Sequence, residues 1–459
     1  MTSAATRPLR KILGLGFGVA LVFGTVVGVG ILRLPGTVAA ALGDPVLIMA
    51  AWALGGLFSL MGAMAVAELA AMIPESGGFR VYARRAFGER VGFAVGWMDW
   101  LCYITTLAYA AVAAGAFLGI LWPPVLDHPR VFAALLLTAF AGLHWLGLEV
   151  GRTTTAVVST AIGLLLMVLV VGCFVGGAAH GQVSLPAVVS QSTLHPSLYS
   201  AAMALGLVTA LRAVLTAYDG WYAPIYLAEE NTNATRNLPR AIIGGSALVV
   251  ALYLVINLAF LYALPMAVLA GSTLPAADAA RLVLPRGGAA FVTVLSLCTV
   301  LSNMNSCALA APRILYALGR DGFLSPRTAV VSAGGTPRVA LIASMVASLI
   351  VVLSGSFEQI IAMFAVLFLL VYISAFLAVL VLRRREPGRS RPYRSLGYPW
   401  STGLVLAGSV ALLIAATYND PRSGLFALIF LACCVPVYWW LARGRRRRLQ
   451  QLASLQRAD

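Results

Sequence analysis

Charge is what this sequence has least of. Of its 459 residues 10% are charged and 61% hydrophobic, with a mean hydropathy of +0.92. A soluble domain carries about 25% charged residues, so a soluble globular protein is excluded. Lysine is almost missing, with Lys11 the single example, and there are only four histidines. Cys102, Cys173, Cys298, Cys307, Cys433 and Cys434 all fall inside apolar runs, at spacings that fit neither a metal site nor an extracytoplasmic disulfide framework. No cleavage-site pattern follows the first apolar run, which leads directly into another, so it reads as a membrane span and not as a signal peptide.

What is present is a series of apolar runs near the roughly 20 residues that a bilayer requires. Twelve spans are expected, at about 12–41, 45–72, 91–121, 131–147, 154–177, 199–228, 240–264, 287–317, 338–354, 357–382, 399–418 and 422–442. The net charge of +16 is unevenly placed. With the N-terminus inside, inner loops and span ends collect Arg10, Lys11, Arg84, Arg85, Arg236, Arg240, Arg320, Arg383 to Arg385 and Arg445 to Arg448, among others. Outer loops hold only Arg130, Arg281, Arg286 and Arg422. This asymmetry is the positive-inside rule, and it puts both termini in the cytoplasm. The basic tail reads as an anchor on anionic lipid head groups and not as a nucleic-acid patch.

Two spans carry features that an unbroken helix would avoid. The first contains Gly28-Val29-Gly30-Ile31, with Arg33 one turn later. Two glycines one residue apart lower the cost of leaving helical geometry. A break there frees backbone N–H groups at a half-helix N-terminus, whose positive partial charge suits a carboxylate. A glycine contact between packed helices is the other reading of the same residues. The sixth span contains Thr216-Ala217-Tyr218-Asp219-Gly220-Trp221 and Pro224. Proline removes a backbone donor, and carbonyls freed before the break favour a cation. Together the two breaks suit a zwitterion. Interrupted spans five positions apart are what an inverted repeat of five plus five helices gives, with substrate bound at the midplane, as in the LeuT fold.

Other polar groups leave alternatives open. Asp99, near the inner end of the third span, is expected to pair with a loop arginine. His144 stands alone in the fourth span and reads as a packed, hydrogen-bonded residue. Ser302-Asn303-Met304-Asn305-Ser306 has no histidine or carboxylate beside it to make an enzyme site, and no filter motif points to a channel.

Four segments in order, at the right spans, resemble the amino acid–polyamine–organocation (APC) transporters, closest to the L-type amino acid transporter branch and its bacterial members. They are Gly28 to Ile31; Ala217 to Trp221 with Glu229-Glu230-Asn231 and Arg236 to Ile242; Arg313 to Gly322; and Arg391-Pro392-Tyr393-Arg394. The resemblance implies alternating-access carriage of amino acids, without catalysis, metal or cofactor. By that analogy Gly28, Val29, Gly30 and Ile31 receive the substrate carboxylate, and Thr216, Ala217 and Asp219 its amino group. Tyr218, Gly220, Trp221, Asn305 and Arg33 line or gate the site.

The chain departs from the family at three places. Thr216 stands where many L-type members have an aromatic gate. No lysine occupies the fifth-span position near Ala161–Gly163, which removes one known coupling route and leaves the coupling ion open. Arg33 is unusual, and is expected to meet Asp219, Glu68 or a second substrate carboxylate. The expected fold is therefore all-α and polytopic, with a LeuT-like 5+5 inverted repeat, broken helices 1 and 6, and two extra helices. Its parts are a cytoplasmic start (1–11), two repeats (12–177 and 199–382), a basic loop (383–398), helices 11 and 12 (399–442) and a basic tail (443–459). The expected activity is secondary-active transport of neutral L-amino acids, with cationic or dibasic amino acids or polyamines as the alternative, and a channel or intramembrane enzyme more remote. The expected location is a cell membrane, the inner membrane of a bacterium; the sequence names no partner subunit.

Overall fold

Asp44 and Pro45 show how the spans are bounded. The Asp44 carboxylate accepts hydrogen bonds from the backbone N–H groups of Val46 and Leu47, at 2.8 and 3.0 Å, and Pro45 fills the first helical position, where no N–H is required. Just before it, Gly43 ends the preceding helix with φ +65°, a left-handed cap that glycine takes without strain.

The computed structural model describes residues 8–179, 201–354 and 357–455. In chain order its helices are α1 (Leu15–Val26), α2 (Val29–Leu42), α3 (Pro45–Met72), the short α4 (Phe79–Phe87), α5 (Glu89–Leu121), α6 (Pro129–Trp145), α7 (Leu148–Ala179) and α8 (Ala201–Ala217). A 3₁₀ segment, Ala223–Glu230, follows α8. Then come α9 (Ala234–Ala263), the short α10 (Met266–Gly271) and α11 (Pro275–Val283), α12 (Gly288–Arg320), α13 (Arg338–Ser354), α14 (Phe357–Arg385), α15 (Trp400–Asn419) and α16 (Pro421–Leu455). Among the described residues, each segment expected to be a span is helical for most of its length. Eight helices among the described residues are long and apolar enough to cross a membrane, and the bent pair α1–α2 makes a ninth. The apolar helices Pro129–Trp145, Met203–Ala217 and Arg338–Ser354 are shorter, so twelve crossings stays an expectation.

At the centre of the bundle, α5 and α12 pack on each other, α1 lies against α7 and α9, and α2 lies against α8. Leu164, Met167 and Val168 on α7 and Leu425 and Ile429 on α16 are exposed. Apolar surface of that extent suits lipid and not water. The connection at residues 180–200 lies outside the described residues. The connection between α9 and α12 forms α10 and α11 and packs on α2.

Candidate functional site

The first span does break where its glycines predict. Helix α1 ends at Val26, α2 begins at Val29, and the two halves are bent by 47°. Val29, Gly30 and Ile31 open α2, so their N–H groups find no acceptor within the helix. The sixth span breaks as well. Helix α8 stops at Ala217, Tyr218–Tyr222 form turns, and the 3₁₀ segment continues with non-helical geometry at Leu227.

The two breaks pack crosswise, glycine against turn. A methyl group placed on Gly30 would lie 3.4 Å from the Ala217 Cα. One placed on Gly220 would come within 2.9 Å of Thr25 Cγ2 and 3.1 Å of Thr25 O, and the φ of +112° at Gly220 is strained for any other residue. A single hydroxyl joins the pair: Tyr253 of α9 donates to Val26 O at 2.8 Å and Ala217 O at 3.2 Å. A phenol has one hydrogen, so the two carbonyls share it.

Asp219, half-buried in the second break, meets hydroxyls and not a cation. Tyr372 of α14 donates to its Oδ1, and Tyr222 Oη lies 3.5 Å from Oδ2. Trp221 stacks on Tyr372 at 5.7 Å between ring centroids, and Tyr222 packs among Phe79, Phe368 and Tyr372. Tyr218 turns away from the breaks. Its hydroxyl donates to Trp52 O at 3.2 Å, and its ring lies against Trp52 and Tyr253.

Several expectations need correcting. Arg33 is exposed and forms no ion pair among the described residues, because both expected partners are engaged elsewhere. Asp219 is held by tyrosines, and Glu68 accepts from Arg383 at 2.5 and 2.8 Å and from the Ser395 N–H at 2.7 Å. Asn305 is not brought to the breaks: its amide nitrogen donates to Thr155 Oγ1 on α7 at 2.8 Å. The Thr216 side chain is exposed, with its hydroxyl bonded back to Arg212 O, which leaves the contact expected of its backbone carbonyl untouched. Asp99 meets Tyr226 and not a loop arginine. Arg445 of the basic tail pairs with Glu89 at 2.6 Å; the side chains of Arg446 to Arg448 lie outside the described residues. Just before Ala161–Gly163, Ser159 donates to Ala20 O at 2.9 Å and ties α7 to α1.

Sequence reasoning missed Tyr253 and Tyr372, since a tyrosine within an apolar span looks like core. It also missed what the other motifs build. On the face that carries the chain's start, Glu230 and Arg313 form a fully buried pair at 2.9 Å, Glu229 pairs with Arg320 at 2.5 Å, and Asp321 takes Arg80 and Arg84. Ser76 and Glu229 exchange backbone-to-side-chain bonds at 2.9 and 3.1 Å. The N-terminal segment is strapped on: Ile12 N and Leu13 N donate to Glu230 O, and Thr232 N donates to Leu13 O. Burial would raise the Asp321 carboxyl, but Arg80, Arg84 and Arg320 outweigh it and hold the group below the usual range. This face is a closed plug of ion pairs.

The comparisons with known proteins agree with this geometry. The chain is 29% identical to the serine/threonine exchanger SteT of Bacillus subtilis (strain 168), over 95% of this chain and 98% of that one. It is 26% identical to the b(0,+)-type amino acid transporter 1 of Mus musculus, over 94% and 88%, and 27% identical to the large neutral amino acids transporter small subunit 2 of the same species, over 94% and 81%. Among solved structures it shares its fold with Mhp1, a nucleobase-cation-symport-1 family transporter in a closed conformation with bromovinylhydantoin bound, at 18% identity, a TM-score of 0.56 and 96% coverage of both chains. That likeness bears out the LeuT-like arrangement expected from the two interrupted spans. Residues 18–441 match the amino acid permease family, and the chain belongs to it.

Proposed function

We propose that this amino acid transporter carries neutral amino acids by alternating access, binding them between the two helix breaks. The observation that carries the reading is the crosswise packing of Gly30 on Ala217 and Gly220 on Thr25, which sets a half-helix N-terminus beside a freed C-terminus. Gly28, Val29, Gly30 and Ile31 offer N–H groups to the substrate carboxylate. The carbonyls of Thr216, Ala217 and Asp219 face its ammonium group; Ala217 O already receives Tyr253 and keeps a second lone pair. Trp221 and Gly220 line the site with the Asp219–Tyr372 pair. The two breaks are in contact here, so room for substrate opens as the halves separate.

The plug of ion pairs lies on the face that the arginine distribution assigns to the cytoplasm, and it must part to release substrate inward. The apolar faces of α7 and α16 meet lipid, with basic residues at the inner boundary near anionic head groups. Cationic substrates are the weaker reading, because two tyrosines occupy the Asp219 carboxylate that would attract them. The names of the relatives, a serine/threonine exchanger and a large neutral amino acids transporter, support the neutral class.

Counterflow in proteoliposomes, with the proteinogenic amino acids screened one by one, tests the reading. Neutral amino acids should show trans-stimulated uptake. Gly30→Leu should abolish it in a protein that still inserts, because the added bulk fills the contact with Ala217 and covers the N–H groups. Uptake at the wild-type rate in that variant would remove the site from the breaks.

A further inference from the structure

Asp99 has no place in the substrate site, yet it is the most isolated carboxyl in the described structure. It lies on α5 with no exposed surface, and none of the described arginines or histidines pairs with it. The other fully buried acids, Glu68 and Glu230, both face guanidinium groups. The hydrogen-bond partner of Asp99 is the Tyr226 hydroxyl, 2.9 Å from Oδ1 and 3.0 Å from Oδ2. An ionised carboxylate would have to split one phenolic hydrogen between two oxygens in a medium where an unpaired charge is costly. A carboxylic acid fits the same geometry with two complete bonds: one oxygen accepts from Tyr226, and the other donates its own proton to the phenolic oxygen.

The neighbouring groups supply no countercharge. Cys102 and Tyr103 stand on the same helix, with Tyr226 from the 3₁₀ segment, Cys307 from α12, Tyr222 and Asp219 from the break and Tyr372 from α14. From α4, Arg80 turns to Asp321; from α12, Arg313 is held by Glu230. His144 of α6 stacks on Phe140, α13 presents Ser344 to Trp100, and α16 presents Tyr438 to Phe93 and Arg445 to Glu89.

Tyr226 makes this carboxyl sensitive to conformation. It belongs to the 3₁₀ segment that ends in Glu229 and Glu230, the two acids of the plug. Its ring fills the space beside Gly78, where a methyl group would lie 2.0 Å from Cε1. The rings of Tyr103 and Tyr222 pack edge-on against it, with centroids 4.9 and 6.3 Å away, and Tyr222 Oη lies 3.5 Å from Asp219 Oδ2.

We propose that Asp99 is the proton-carrying site of this transporter, protonated while the plug is closed and releasing its proton when Tyr226 withdraws as the plug parts, so that one proton accompanies each amino acid inward. This rests on the alternating-access reading above and names the coupling ion for it.

The test uses the full chain in proteoliposomes, with the neutral amino acid that gives the strongest counterflow as probe and internal pyranine as proton indicator. Counterflow without a gradient tests transport itself; if no amino acid gives it, the transport reading falls and the coupling goes with it. Where counterflow is present, an inside-alkaline gradient of about one pH unit should hold roughly tenfold accumulation, with matching internal acidification. Asp99→Asn should lose both the accumulation and the pyranine signal while counterflow continues, and Asp99→Glu should restore accumulation with a displaced pH profile. Counterflow with no response to the gradient overturns the proposal and leaves transport standing, as does an Asp99→Asn protein that accumulates like wild type. Should Asp99→Asn fail to fold, the Asp99→Glu profile decides: displacement supports the assignment, and superposition on wild type sinks it.

Discussion

The carboxylates at the middle of the bundle and those at its closed face solve the same problem differently. Asp219 and Asp99 meet tyrosine hydroxyls, whereas Glu229, Glu230 and Asp321 meet arginines. Breaking a buried ion pair strands a charge and costs about 3–5 kcal/mol. A hydroxyl bond within a membrane bundle contributes about 1 kcal/mol. Parting the face thus costs far more per contact than changing a partner at the centre.

That contrast can be broken first at Glu230. Glu230→Ala leaves Arg313 buried without its partner and should destabilise the protein by about 3–5 kcal/mol, seen as a large fall in thermal unfolding temperature in detergent. Replacing Arg313 as well should recover much of the loss, since the stranded charge then disappears. Tyr253→Phe should be milder. It removes the hydrogen shared by Val26 O and Ala217 O, costs about 1 kcal/mol, and should slow counterflow more than it lowers the unfolding temperature. An unfolding shift as large as that of Glu230→Ala would erase the distinction between the two regions.

The smallest effect concerns pH. Asp321 has a depressed folded-state pKa, so its contribution to stability is fully present above the ordinary aspartate value near 3.9 and is lost as pH falls through the folded value. Glu386, hydrogen-bonded by Arg85 and Arg389 beyond the end of α14, is lowered in the same sense. Unfolding temperature should therefore be flat from neutral pH to about 5 and decline below about 4. Asp321→Asn should flatten part of that decline.

The sequence makes the breaks legible because glycine is the residue that changes what a backbone can do. Gly28, Gly30 and Gly220 could be read directly, and Asp219 stood out as a charge in an apolar run. The partners were not legible. Asp99 and Tyr226 are 127 residues apart, and nothing local shows that a loop arginine is already taken by Asp321. Arg33 misled for the opposite reason: a charge within a span suggests an internal partner, but this one is exposed. The family motifs around Glu230 and Arg313 were recognisable as sequence, yet their common product, a sealed face, becomes visible only when they meet a third distant segment, the one that carries Ser76, Arg80 and Arg84.

The strap between the chain's start and the end of the sixth span bears on the proposed transport cycle. Its bonds from Ile12, Leu13 and Thr232 are donated by backbone N–H groups, so of the ordinary substitutions only proline deletes a donor. In a cycle that parts this face the bonds would come undone and re-form at each turnover, and whatever pulls on or holds the first dozen residues, a fused tag included, would then act on its rate.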